Sequence, residues 1–313
     1  MALKYIDPIR AEDPERFDLV GLVLAGLGVA GIAFGLSVAG LGLLPWPVVV
    51  ALIGGGGVAM WFYFQHAKRT ASPVLDFNLL RLPTLRASLT GGFMYRMGVG
   101  ALPFLLPLLM QIGFGLSPFK SGLVTFASAI GALGMKTLAA RIIRTFGFRK
   151  IVIINAVVSS FFLAACALFT PTTPLLLIMI ILIVGGFFRS LQFTAVNTLA
   201  YAEVETPEMS RATTLVNVNQ QLAISAGVAI GAFAVEATMA TRHATVLDAA
   251  DFWPAFVIIA IISAASAWSF WKLSDNAGSE ISGHRMPTEL EGPKAAEAAA
   301  AESTHDARDQ KLG

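Results

Sequence analysis

Charge is scarce in this sequence. Asp, Glu, Lys and Arg make up only 13% of the 313 residues, against 56% hydrophobic residues and a mean hydropathy of +0.71. A water-soluble domain of this length carries about twice that charge and cannot bury so much apolar surface, so a soluble globular protein is excluded. Cysteine is nearly absent: Cys166 stands alone in an apolar run, which excludes an intrachain disulfide and a Cys-based metal site. The four histidines, His66, His243, His284 and His305, fall in expected loops or the tail. There is also no Walker glycine loop and no Ser/His/Asp arrangement, so the sequence supports neither an enzyme nor a cofactor site. The ten-residue alternation of a transmembrane barrel is missing. The polar start, MALKYIDPIRAEDPERFD, lacks the basic region, apolar core and small-residue cleavage site of a signal peptide, so the first span is expected to insert uncleaved. Finally, no Asp or Glu lies at mid-membrane depth, Glu236 near the outer end of a span being the nearest. Proton-driven transporters ordinarily carry an intramembrane acid or histidine.

What is present is long apolar runs. A helix needs about 20 apolar residues to cross roughly 30 Å of hydrocarbon. Eight such runs occur, at about 19–39, 46–65, 87–112, 118–140, 151–169, 174–199, 212–238 and 252–273. The expected fold is therefore all-α and polytopic, embedded in the lipid bilayer. Basic residues are distributed unevenly between the two sets of loops. One side holds Lys4, Arg10 and Arg16, then Lys68, Arg69, Arg81 and Arg86, then Arg141, Arg144, Arg149 and Lys150, Arg211, and the basic residues of the tail; the other side holds Lys120 and Arg242. The positive-inside rule places both termini in the cytoplasm, most simply of a bacterial inner membrane. The basic loops are thus topology signals and do not imply nucleic acid. Trp46 and Trp253 at outer ends, and Trp61, Trp268 and Trp271 near inner ends, suit interface anchors.

The expected organisation is a cytoplasmic segment (1–18), a two-helix membrane hairpin (19–70), an interfacial segment (71–86), a six-helix body (87–274) and a disordered cytoplasmic tail (275–313). Pro73 and Pro83 bracket VLDFNLLRL, which fits a short helix lying on the membrane. The tail is mixed in charge and poor in large apolar residues, with KAAEAAAAE its one short helical candidate.

Charged and amide side chains inside the spans are the functional candidates, because they are costly in lipid and face protein or water-filled cavities. Arg96 and Arg189 each lie about ten residues from the inner end of a span. Lys136 is about one turn from the inner loop and can snorkel. Gln192 and Asn197 fall within about 60° and 80° of Arg189 on the helix wheel, giving one broad polar face. Asn217, Gln220, Gln221 and Ser225 form a single stripe on the seventh span. Such amides either tie neighbouring helices together or line an aqueous path. Gln111 is a further cavity candidate. Pro103 and Pro107 are expected to bend the third span, and Gly31 with Gly35, and Gly227 with Gly231, to permit close helix contacts.

Three stretches, RMGVGALPFLLPLLMQIGFGLSPFKSGL, GALGMKTLAARIIRTFGFRK and GGFFRSLQFTAVNTLAYAEV with SRATTLVNVNQQLAISAGVAIGA, resemble the C-terminal portion of the fourteen-helix drug/proton antiporter branch of the major facilitator superfamily. The resemblance covers about residues 15–275. It implies that spans one and two are the two extra helices of that branch and that spans three to eight are its C-terminal bundle. ARIIRTFGFRK is similar to the basic loop that helps gate the cytoplasmic side, which makes Lys136, Arg141, Arg144, Arg149 and Lys150 gating candidates. The family binds substrate between two bundles, so Arg96, Gln111, Arg189, Gln192, Asn197, Asn217, Gln220 and Gln221 are expected around the central cavity. The implied activity is proton-coupled efflux of small organic molecules or drugs. The N-terminal bundle, with the family's antiporter motif and usual proton-binding acid, is missing from these residues. That leaves a second half or a homo-oligomer as expected partner, and a non-transporting membrane scaffold or truncated relic as the alternative.

Overall fold

The computed structural model describes residues 18–39 and 43–279. The expectations for the N-terminal segment before Asp18, and for most of the tail with its short helix, fall outside them. All regular structure among the described residues is helical, and eight helical segments are long and apolar enough to cross a membrane. Helices α1 (Leu19–Ala39) and α2 (Trp46–Ala67) form the hairpin. Helix α3 (Pro83–Gly100) continues through Ala101 into α4 (Leu102–Leu108) and a wide π turn, Leu109–Gly113. Pro103 has no N–H for the Val99 carbonyl four residues earlier, which breaks the span where the sequence places its bend. Then follow α5 (Pro118–Phe146), α6 (Phe148–Ala165) with a 3₁₀ turn at Cys166–Leu168, α7 (Leu175–Ala200), α8 (Met209–Thr241) and α9 (Trp253–Trp271). Helix α5 outruns its expected end near residue 140. The basic stretch ARIIRTF continues it as far as Gly147, whose φ of 76° stops it in the left-handed region.

Large apolar side chains stay exposed on the spans, among them Leu27, Phe34, Leu133, Phe161, Leu176 and Ile261. That much apolar surface belongs in lipid, and the chain is a polytopic membrane protein. All five tryptophans are exposed near helix ends. The interior of the six-span body holds two apolar clusters. One gathers Leu105, Leu109, Leu163, Ile178, Phe252 and Phe256 toward one end. The other gathers Met135, Phe148, Val152, Ala195, Leu199 and Phe270 toward the end that carries the Lys and Arg clusters, the basic end. Arg96, Asn155 and Arg189 fall between these clusters along their helices, and Gln192 lies at the edge of the second.

The segment after α2 differs from the expected surface helix. It makes a 3₁₀ turn at Phe77–Arg81, with Leu75 and Leu79 fully buried against Tyr63, Leu85, Leu215 and Val216. The Tyr63 hydroxyl accepts from the Leu75 amide at 2.6 Å and donates to the Leu75 carbonyl at 3.0 Å. Apolar residues four apart found a protein wall instead of headgroups, and this cluster fastens the hairpin to α3 and α8. The expected tail is corrected at its start: Asp275 pairs with Arg149, Ala277 is buried in the basic-end cluster, and Gly278 packs against Phe148 and Leu199, so this start of the tail docks on the basic end.

The hairpin is also closed at its basic end. The Asp18 carboxylate caps α1 by accepting from the Gly21 amide at 2.8 Å, and it meets His66 Nε2 at 2.7 Å. Burial pushes the Asp18 carboxyl up, but the Gly21 amide and the His66 ring outweigh it and hold the group below its ordinary value of 3.8. A carboxyl with a depressed folded value contributes stability above the unfolded value and loses it as pH falls through the folded one. Asp18→Ala is therefore expected to cost about 1 kcal/mol at pH 7, a few degrees of melting temperature. The gap between variant and parent should close as the pH drops below about 4. Thermal unfolding in detergent at a series of pH values checks this, and a gap that persists in acid contradicts it.

Candidate functional site

The polar layer between the two apolar clusters is built mainly from α3 and α7. Arg96, on α3, is 5% exposed. Its Nη2 donates to Asn197 Oδ1 on α7 at 2.6 Å, its Cζ lies 5.5 Å from the centre of the Phe193 ring, and its Nε has no hydrogen-bond partner. Arg189, on α7, is half-buried and donates from Nη2 to Ser128 Oγ on α5 at 3.2 Å. Among the described residues neither guanidinium has an ion-pair partner, although the loops at both ends contain several, such as Arg211 with Asp76 and Arg242 with Asp251. Each stands roughly 16–20 Å along its helix from the basic end, at 1.5 Å per residue, too deep for its head to reach that end.

Both arginines border one cavity of about 330 Å³, whose other walls include Val99, Pro103, Phe193 and Ile224. A second cavity of about 280 Å³ lies between α4 and α5, walled by Pro107, Thr125, Phe126 and Ser128. Arg189 and Pro103 border both. The break before Pro103 and the arginine beside it therefore stand where the two spaces meet.

The other sequence candidates divide. Asn197 belongs to this site as the acceptor for Arg96. Gln192 does not: it is fully buried on the α6 side of α7, where its Nε2 donates to the Val152 carbonyl at 2.9 Å and its Oε1 accepts from Asn155 Nδ2 at 3.1 Å. A turn of about 60° on the wheel is enough to carry a side chain from the cavity wall into a helix interface. The α8 stripe is split in the same way. Asn217 and Gln221 are exposed and Gln220 is half-buried. Gln221 borders a separate groove of about 520 Å³ between α1 and α8. In the same groove Ser225 bonds Ser37 of the hairpin at 3.2 Å. Gln111 is exposed on the π turn, about fifteen residues and ~22 Å beyond Arg96. Lys136, Arg141, Arg144 and Lys150 are exposed on the basic half of α5 and the start of α6, while Arg149 pairs with Asp275 and donates to the Trp271 carbonyl at 3.2 Å.

Ser128, Phe193 and Asn155 went unnoticed in the sequence. Asn155 had a legible signal, being a lone amide in the run KIVIINAVV. Ser128 and Phe193 are ordinary span residues that only the packing of α5 against α7 brings to the arginines. Asn219, next to the α8 stripe, was missed as well; its Nδ2 donates to the Leu89 carbonyl at 3.1 Å.

Comparison with known proteins gives a family and a set of relatives. The family model described as Major Facilitator Superfamily matches residues 11–227 and again residues 88–304. Proteins named "Putative multidrug resistance protein MdtD" from Salmonella heidelberg (strain SL476), Salmonella paratyphi A and Salmonella typhimurium are each 30% identical over 231 residues, 74% of this chain and 49% of theirs. The chain thus spans about half the length of the curated relatives it matches.

Proposed function

Since the chain belongs to the major facilitator superfamily, we propose that it supplies the hairpin and C-terminal bundle of an exporter of small organic molecules. Helices α1 and α2 are the added hairpin, and α3 to α9 form the bundle. The observation that carries this reading is the pair Arg96 and Arg189, two guanidiniums that face one cavity at mid-depth and have no counter-charge among the described residues. Transporters of this architecture hold substrate near the bilayer midplane between two bundles. The relatives' multidrug resistance name, and the half of their length that this chain does not match, support an exporter in which a second bundle closes the cavity. Among the described residues no Asp or Glu stands mid-span, so the proton-carrying group of a proton-coupled cycle belongs to that other bundle. The basic end faces the cytoplasm. There the exposed Lys136, Arg141, Arg144 and Lys150, with Arg149 held by Asp275, form the gating surface between bundles.

The test is efflux from cells carrying the gene at its native locus with flanking genes retained. Arg96→Ala and Arg189→Ala are each expected to lower export of fluorescent organic substrates by about tenfold or more, with membrane level unchanged. Wild-type export that survives both substitutions overturns the role of this cavity.

A further inference from the structure

We infer that the mid-membrane cavity takes an organic anion, with a carboxylate or similar group held between Arg96 and Arg189. This rests on the reading of the chain as half of an exporter and specifies the substrate class of the same site. Guanidinium stays protonated, so the layer carries two permanent positive charges in a low-dielectric setting. Its neutral acceptors are few: Asn197 Oδ1 takes one Arg96 donor, Ser128 Oγ takes one from Arg189, and Arg96 Nε is left with nothing. A buried cation without an opposite charge is unfavourable by several kcal/mol in general, and no described carboxylate lies within ion-pair reach. A ligand anion removes that penalty when it binds, whereas a cationic ligand adds to it.

The shape of the site agrees with its charge. A guanidinium presents a planar fork of donors that matches a carboxylate or phosphonate better than a single hydroxyl or amide. Beyond the two charged heads the wall is mostly apolar, formed by Val99, Pro103, Phe193 and Ile224 among others, with Tyr95 and Ser190 as its other polar members. The volume of about 330 Å³ is at the small end of ligand pockets. The matching ligand is thus a compact amphipathic anion, with its apolar body along Phe193 and Pro103 and its charge toward the arginines. Arg189 borders the second cavity as well, so it meets the same charged group on either side of the Pro103 break.

Equilibrium binding to the purified protein in lipid nanodiscs tests this without transport. The probes are dansylglycine and its methyl ester, which share a fluorescent apolar body and differ in the negative charge. The acid is expected to bind at least about tenfold more tightly than the ester. Arg96→Gln and Arg189→Gln are each expected to remove most of that preference, and the corresponding lysine variants, which keep the charge, to retain part of it. Equal binding of acid and ester overturns the inference, as does a preference that survives both glutamine variants. Arginine-dependent export of neutral or cationic dyes with no preference for acids overturns the anion assignment alone. Selective acid binding without export of any class overturns the exporter reading alone.

Discussion

Gly131→Ala is expected to abolish stable folding or lower the melting temperature by about 5 °C or more, although it adds one methyl group. A Cβ at Gly131 would sit 1.8 Å from the Ile183 carbonyl oxygen, and one at Gly186 would sit 2.1 Å from the Ser128 carbonyl oxygen. These are reciprocal contacts between α5 and α7. The obstructing atoms are main chain, so no rotamer change relieves the clash; the two helices must part by more than 1 Å. The same seam carries the Arg189–Ser128 bond and the bond from Ser190 Oγ to the Ala132 carbonyl, 3.0 Å long, so separating the helices also opens the site. Gly134→Ala on the same helix is the control. Nothing lies within 4 Å of its added Cβ, and alanine is the better helix former by up to about 1 kcal/mol. Thermal unfolding should show Gly134→Ala melting at or above the parent and Gly131→Ala far below it. Matching melting curves for the two variants would mean that α5 and α7 do not approach this closely. Because either substitution alone already parts the helices, the double variant Gly131→Ala with Gly186→Ala should cost less than the sum of the two.

That seam also marks where sequence reasoning runs out. The spans were legible because bilayer thickness imposes a length on every apolar run, and α1 begins and ends where its run does. Arg96 and Arg189 were legible because a deep guanidinium has so few permitted environments. The glycine pairs on α1 and α8 were noticed from their four-residue spacing, and Gly227 does press on the Met97 carbonyl. Gly131 and Gly186 carry no such spacing signal with each other, since each helix supplies one member and only the crossing point of α5 and α7 joins them. Gln192 fails for a related reason. A helix wheel gives the angle between Gln192 and Arg189 but not where α6 lies, and the position of α6 makes Gln192 a tie to Val152. Leu75 and Leu79 show the same limit at the surface: an apolar pair can be read, but not whether lipid or protein covers it.

Asn197→Asp should separate stability from binding at the arginine site. The substitution is nearly isosteric and places a carboxylate oxygen where Oδ1 now accepts from Arg96 Nη2 at 2.6 Å. A charge-assisted hydrogen bond is roughly twice as strong as a neutral one, and here it also supplies the missing counter-charge. The variant is expected to melt a few degrees above the parent, and to bind the anionic probe about tenfold to a hundredfold more weakly, because Arg96 is neutralised and the new carboxylate repels the ligand. Asn197→Leu should do the reverse in both respects. It deprives Arg96 of its acceptor, costing about 1–3 kcal/mol of stability, yet leaves both guanidiniums for the ligand and so preserves or strengthens anion binding. Opposite movement of melting temperature and affinity in this pair is the signature of a charge left open for a ligand. If both variants weaken binding alike, Asn197 holds Arg96 in place for packing alone, and the charge of the layer is not what selects the ligand.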